Sequence, residues 1–133
     1  MNAVTTFIGL GSNLAQPAQQ IEQACQQLQA LPQTRLNKVS SLYRSKPLGP
    51  QDQPDFVNAV CALQTNLSAL ALLDALQAIE AQQGRVKKRH WGERLIDLDI
   101  LLYGHESIYN SRLCIPHKEM IHRDFVLLPL AEI

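Results

Sequence analysis

The run from Arg94 to Tyr103 leaves the chain little choice of local structure. It is rich in leucine and isoleucine, ends at Gly104, and carries two aspartates two positions apart. Read as a strand, it alternates faces. Ile96, Leu98, Ile100 and Leu102 form one side, which must be buried, and Leu95, Asp97, Asp99 and Leu101 form the other. The two carboxylates then stand roughly 6.5–7 Å apart at Cα and point the same way. Aspartate is depleted in strands, and like charges in a half-apolar setting repel unless one keeps its proton or a cation joins them. Magnesium suits the pair, since it takes one or two carboxylates together with substrate phosphates. A solvated outer sheet face explains an isolated Asp-x-Asp equally well, so the meaning of this one depends on what surrounds it.

Just upstream, five of the twelve lysines and arginines (Arg85, Lys87, Lys88, Arg89 and Arg94) fall between positions 85 and 94, together with the single tryptophan, Trp91, and Gly92. A basic loop running into an Asp-x-Asp strand supplies the other half of a phosphate site: arginine grips phosphate bidentately and lysine acts as a point charge. Over the whole chain the charge is balanced, twelve acids against twelve bases, so no overall field argues for nucleic acid or an anionic membrane. A chain of 133 residues is expected to form one domain, 1–133, with a core that needs no staples. Cys25, Cys61 and Cys114 are odd in number and widely spaced, with neither metal nor disulfide spacing, which suits a reducing cytoplasm. No signal peptide or membrane-length apolar run is present.

In chain order, Val4 to Leu10 reads as a strand ending in Gly9 to Asn13, where the glycines let the backbone turn sharply or approach a ligand closely; two glycines alone favour the plain strand-to-helix turn. Pro17 opens a helix whose apolar residues are Ile21, Ala24, Cys25, Leu28 and Leu31. Arg35 to Arg44 reads as a second strand with Leu36, Val39 and Leu42 toward the core. Three prolines and a glycine between Ser45 and Pro54 predict a loop of restricted freedom. Asp55 to Gln64 is a third strand with Phe56, Asn58 and Val60 on one face. Ser68 caps a second helix followed by Leu70, Leu73, Leu76, Gln77 and Glu80, with Gly84 as its stop. A short connection after Tyr103 leads to the segment Ile115 to Phe125 and a last helix, Val126 to Ile133. The order β-α-β-β-α-β implies an α+β, ferredoxin-like sandwich: an antiparallel sheet with helices on one face. That arrangement hosts enzymes, RNA-binding modules and metal carriers, so it decides nothing about chemistry.

Several stretches together resemble one family. Gly9 to Asn13, Ser45 to Asn58, Gly84 to Val86, Trp91 to Ile100, Ile115 to His117 and Arg123 to Phe125 are similar, in order, to the 6-hydroxymethyl-7,8-dihydropterin pyrophosphokinases of folate biosynthesis. The resemblance implies transfer of pyrophosphate from ATP to the pterin's hydroxymethyl group, with release of AMP. It implies that Asp97 and Asp99 hold two Mg²⁺ ions and that Arg85 and Arg94 act with them in catalysis. Lys87, His117, Lys118 and Arg123 would also serve the phosphates, with Ile100, Arg112 and Gln77 at the nucleotide and Glu80 beside it. Phe56 and Phe125 would stack on the pterin, Asn58 would read its edge, and Ser45, Lys46, Pro47 and Leu48 would form its wall. Trp91 lies on the loop that closes over the occupied site in this family and is expected to serve ATP and pterin alike, and Asp97 is expected to meet the pterin as well as the metal.

The chain departs from the family pattern in four places. Its basic loop is one residue shorter between Arg85 and Trp91, Glu93 replaces a usual proline, and Lys118 stands where tyrosine is common. It stops at Ile133, where familiar members continue with a helix-containing tail; the tail supplies none of the matched residues, so activity is expected without it. The resemblance implies ATP and dihydropterin as partners, no nucleic acid or membrane, and a cytoplasmic monomer. A nucleotide-binding relative without turnover is one alternative. An RNA-binding module of the same fold is another, but it gives no use to paired carboxylates, which repel phosphate unless a metal is present.

Overall fold

The computed structural model describes residues 3–14, 16–46, 52–83, 95–118, 120 and 123–133. Strand β1 (Val4–Ser12) leads into helix α1 (Pro17–Gln29), followed by β2 (Thr34–Val39), β3 (Tyr43–Ser45) and β4 (Phe56–Thr65). Helix α2 (Ala69–Gln82), β5 (Asp97–Tyr103), the short strands β6 (Ile108–Tyr109) and β7 (Cys114–Ile115), and helix α3 (Asp124–Glu132) complete the order. The main sheet is antiparallel in the order β2-β4-β1-β5, with β3 also on β4. This is the ferredoxin-like α+β arrangement that the element order predicts.

Helices α1 and α2 cover one face. Ile21, Ala24 and Leu28 of α1 and Leu72, Leu76 and Ile79 of α2 pack with Ile8, Leu10, Cys61, Leu63, Leu98 and Ile100 of the sheet. The cap is as expected: Ser68 Oγ accepts from the Ala71 amide at 3.1 Å. The buried stripe of α2 is not the expected one, since Leu70 is 43% exposed and Leu72 fully buried. Apolar residues occur nearly all round this helix, so spacing alone does not fix which side turns inward. The opposite face of the sheet carries α3, where Val126 packs on Val60 and Leu101. Helices therefore lie on both faces rather than one.

Two irregularities set the site. The second expected strand breaks at Ser40, whose amide donates to Val60 O at 2.8 Å while its Oγ accepts from Val60 N at 2.9 Å. The chain turns there, and Val39 and Leu42, expected in the core, are 42% and 49% exposed. In β5, Ile100 pairs with Ile8 but Leu102 pairs with Phe7, so Leu101 is an extra residue in the ladder. A bulge of this kind turns consecutive side chains to one side. Leu101 and Leu102 both pack with the α3 cluster, and Tyr103 returns to the α1–α2 core; Leu102 thus does not share a face with Leu98 and Ile100. Thr6 Oγ1 donates to Leu102 O at 2.6 Å and the His117 amide donates to Leu101 O at 3.0 Å, so both carbonyls at the bulge are bonded. The second of these bonds also brings His117 to the strand. No helix among the described residues is long and apolar enough to cross a membrane.

Candidate active site

Gly9 and Gly11 lie within β1, not in a turn after it. Gly11 pairs with Asn58 on one side and Asp97 on the other, and Gly9 pairs in the same way with Val60 and Asp99. Directly paired residues share a face, so two glycines floor the sheet between the carboxylates of β5 and the polar start of β4. A Cβ on Gly11 would stand 3.2 Å from Asn58 Oδ1, closer than side chains ordinarily pack. The missing side chains open a cavity of about 160 Å³.

The walls of this cavity come from five elements and their flanks. Phe56 and Asn58 stand at the start of β4, and Ser45 and Lys46 at the end of β3. Asp97 and Asp99 enter from β5, His117 follows β7, and Arg123 and Phe125 open α3. Asn58 is 4% exposed and donates through Nδ2 to Ser45 Oγ at 2.7 Å, using one of its two amide N–H groups. Arg123 stacks its guanidinium over the Phe125 ring, 5.6 Å from the centroid, within cation–π range. Asn13, buried at the end of β1, donates from Nδ2 to Gln53 Oε1 and to Pro54 O, each at 2.9 Å. Those bonds fix the approach to Phe56.

A second groove, of about 600 Å³, lies against β5 and shares Asp99 and His117 with the cavity. Ile100, Leu98 and Leu73 give it an apolar base, and Arg112 and Lys118 give it cations. Arg112 sits in the turn between β6 and β7, where Asn110 Oδ1 accepts from the amides of Arg112 and Leu113 at 2.9 and 3.0 Å. Its guanidinium bonds Asp74 at 2.6 Å and Gln77 Oε1 at 3.4 Å. Glu80 lies inside the fold instead of lining the groove, and its Oε2 accepts from the Leu98 amide at 2.8 Å.

Most of the expected site therefore converges. Ser45, Lys46, Phe56, Asn58, Asp97, Asp99, His117, Arg123 and Phe125 share the cavity, and Ile100, Arg112, His117 and Lys118 share the groove, with Gln77 beside Arg112. Pro47, Leu48, Arg85, Lys87, Trp91 and Arg94 lie outside the described residues. Sequence reasoning missed Asp74 and Asn110, and it favoured a turn at Gly9 and Gly11 over the close approach to a ligand that they also allow. An Asn-Ser pair is a turn signal and marks the β6–β7 corner; nothing local marks Asp74, which meets Arg112 across 38 positions.

The donor set fits magnesium. Asp97 and Asp99 are hard oxygen donors on one face, and among the described residues no third His, Cys, Asp or Glu joins them as a metal-binding group. Such a pair leaves most of an octahedral shell to water and to substrate oxygens. Cys114 lines the groove, whereas Cys25 and Cys61 line neither it nor the cavity. Burial pushes the Cys25 thiol up to about 11 and the Cys61 thiol higher still, so both stay protonated and inert.

A family model described as 7,8-dihydro-6-hydroxymethylpterin-pyrophosphokinase (HPPK) matches residues 7–133. The chain belongs to this family. It is 58% identical over 130 residues to the 2-amino-4-hydroxy-6-hydroxymethyldihydropteridine pyrophosphokinase of Haemophilus influenzae, covering 98% of this chain and 81% of that one. The enzyme of the same name from Pseudomonas aeruginosa is 57% identical over 127 residues, or 96% of this chain and 78% of that one. Among solved structures, an HPPK-DHPS in complex with substrates superposes with a TM-score of 0.74 at 16% identity, over 98% of this chain and 40% of the other. That likeness concerns the HPPK fold alone.

Proposed function

We propose that the cavity holds the dihydropterin, the groove holds the nucleotide, and the boundary they share at Asp99 and His117 is where phosphoryl transfer occurs. The protein is an ATP:pterin diphosphokinase of folate biosynthesis, moving pyrophosphate from ATP to 6-hydroxymethyl-7,8-dihydropterin. The observation that carries the assignment of sites is the register: Asn58, Gly11 and Asp97 lie in one row across three strands. A planar ligand lying over Gly11 meets a hydrogen-bonding amide at one end and a carboxylate at the other.

In this reading Phe56 and Phe125 flank the pterin ring and Asn58 reads its edge, while Ser45 orients the Asn58 amide. Asp97 and Asp99 hold Mg²⁺, which supplies charge neutralisation and a template for the triphosphate. Arg123 and His117 meet phosphate oxygens from the cavity side, and Arg112 and Lys118 from the groove side. Arg85, Lys87, Arg94 and Trp91 are assigned to the phosphates and to closure on the family resemblance. The hydroxymethyl oxygen attacks the β-phosphorus and releases its proton to solvent, the bond from that phosphorus to the α-phosphate oxygen breaks, and AMP leaves. Alignment and charge compensation supply most of the catalysis in such a transfer. We place the reaction in the cytoplasm, in a single domain acting as a monomer.

The test is AMP formation from ATP and Mg²⁺ with and without 6-hydroxymethyl-7,8-dihydropterin. Pterin-dependent AMP that disappears on chelation of Mg²⁺ is expected. ADP in place of AMP would mean attack at the γ-phosphorus and would overturn the reading; nucleotide binding with no product would leave a binding protein without turnover.

A further inference from the structure

Strand β5 lies at the end of the sheet path, with β1 as its neighbour on one side. Alternate amides of such a strand face the partner and the open edge. The Leu98 amide donates away from the sheet, to Glu80 Oε2 at 2.8 Å. Glu80 is 9% exposed and stands near the end of α2, whose Leu76 and Ile79 are packed into the core. Glutamate is seldom this buried without a specific role for its charge or its oxygens. The amide it holds belongs to the residue between Asp97 and Asp99. Turning either peptide plane of Leu98 swings one carboxylate relative to the other, so the bond to Glu80 restrains their divergence. The same helix bears Asp74 and Gln77, which bond Arg112 in the groove.

We propose that Glu80 is a positioning residue for the Asp97–Asp99 pair: by accepting the Leu98 amide it fixes the two carboxylates at the spacing a divalent cation requires. This rests on the reading of that pair as the metal site. The helix that orders the nucleotide groove thereby also sets the metal ligands, through hydrogen-bond geometry rather than through charge.

Two substitutions separate geometry from charge. Glu80→Gln keeps the reach and an acceptor oxygen but removes the charge, whereas Glu80→Asp keeps the charge but withdraws the acceptor by one methylene. The readout is Mn²⁺ binding followed by electron paramagnetic resonance in the presence of α,β-methylene-ATP, with thermal melts to establish folding. Glu80→Gln is expected to bind Mn²⁺ within about twofold of the unmodified protein and Glu80→Asp roughly tenfold more weakly, the scale usual for groups that orient metal ligands. Unchanged Mn²⁺ affinity in folded Glu80→Asp, or a larger loss in Glu80→Gln than in Glu80→Asp, overturns the proposal and leaves the pyrophosphokinase reading intact. If Glu80→Asp fails to fold, Glu80→Gln decides alone, and a tenfold loss there overturns it. Failure of the unmodified protein to take up Mn²⁺ with the nucleotide overturns the reading and the proposal together.

Discussion

Replacing Gly11 by alanine should separate stability from substrate recognition. The backbone at Gly11 lies outside the left-handed region, so alanine adopts it without strain. Alanine also narrows the unfolded ensemble, which stabilises by about 0.4–1 kcal/mol. Against this, the new methyl stands 3.2 Å from Asn58 Oδ1 and 3.8 Å from Phe56 Cδ1. Asn58 must give by a few tenths of an ångström, yet its Nδ2 is held by Ser45 Oγ at 2.7 Å. Weakening one such neutral hydrogen bond costs about 0.5–1.5 kcal/mol, or roughly two- to twelvefold in affinity. The two stability terms nearly cancel, and the melting temperature should move by less than about 5 °C. Pterin affinity, titrated calorimetrically in the presence of α,β-methylene-ATP, should fall by that factor while affinity for the nucleotide alone stays the same. Equal weakening of both ligands would refute the separation of cavity from groove. Unchanged pterin affinity would refute the claim that the empty space over Gly11 is where the substrate lies.

Removing either carboxylate, as Asp97→Ala or Asp99→Ala, should withdraw about 4 kcal/mol of charge stabilisation and slow AMP formation roughly a thousandfold. For exposed Asp99 the thermal melt should be nearly unchanged, and normal turnover in either variant would sink the metal assignment. Arg112→Ala breaks an exposed ion pair with Asp74, so stability should shift by less than about 1 kcal/mol. Its KM for ATP should nevertheless rise severalfold while KM for pterin does not, and the reverse pattern would argue against the groove as the nucleotide site. Glu132 fastens the end of α3 to the β2–β3 corner, accepting from Tyr43 Oη at 2.7 Å, the Ser41 amide at 3.1 and 3.0 Å and Ser41 Oγ at 3.0 Å. The Tyr43 hydrogen bond lowers the Glu132 carboxyl from its ordinary 4.5, and Glu132 raises the Tyr43 phenol from its ordinary 10.0. Stability from the depressed carboxyl is present above 4.5 and lost as pH falls through its folded value; stability from the raised phenol is present below 10.0 and lost as pH rises through its own. The difference in melting temperature between the unmodified protein and Glu132→Ala should therefore be flat between those limits and shrink beyond both. A difference that varies between pH 6 and pH 8 would contradict it.

The parts of the molecule legible in the sequence are those where a local period and the tertiary fold agree. The alternation around Asp97 and Asp99 survives as far as Ile100 because nothing interrupts the ladder before the bulge. It fails at Leu102, where a hydroxyl from Thr6 takes a carbonyl that a regular strand would have offered to its neighbour. Val39 and Leu42 were misplaced for a similar reason: Ser40 holds Val60 with both backbone and side chain, and no propensity marks a serine as the point where a strand divides. The residues that meet in the cavity are named chiefly by the family resemblance, because Asn58, His117 and Phe125 come from separate elements. Gly9 and Gly11 suit either a turn or a close approach to a ligand, and their spacing does not choose between the two. A glycine in a turn and a glycine that clears space beneath a ligand look alike until the register shows what lies beside it.

In the function proposed above, that register couples recognition to chemistry. Two strand spacings, about 9–10 Å in all, separate Asn58 from Asp97 across Gly11. Any larger residue at Gly11 would divide that span into two small polar pockets, each open to water. With glycine the span is continuous, so a flat molecule read at Asn58 must bring its far end to the carboxylates. A ligand with the wrong edge gains nothing from Asn58, and one of the wrong length presents no oxygen at Asp97. Specificity and alignment then arise from one rigid row of backbone rather than from two sites that must be brought together, which is why Gly11→Ala is expected to weaken binding without loosening the fold.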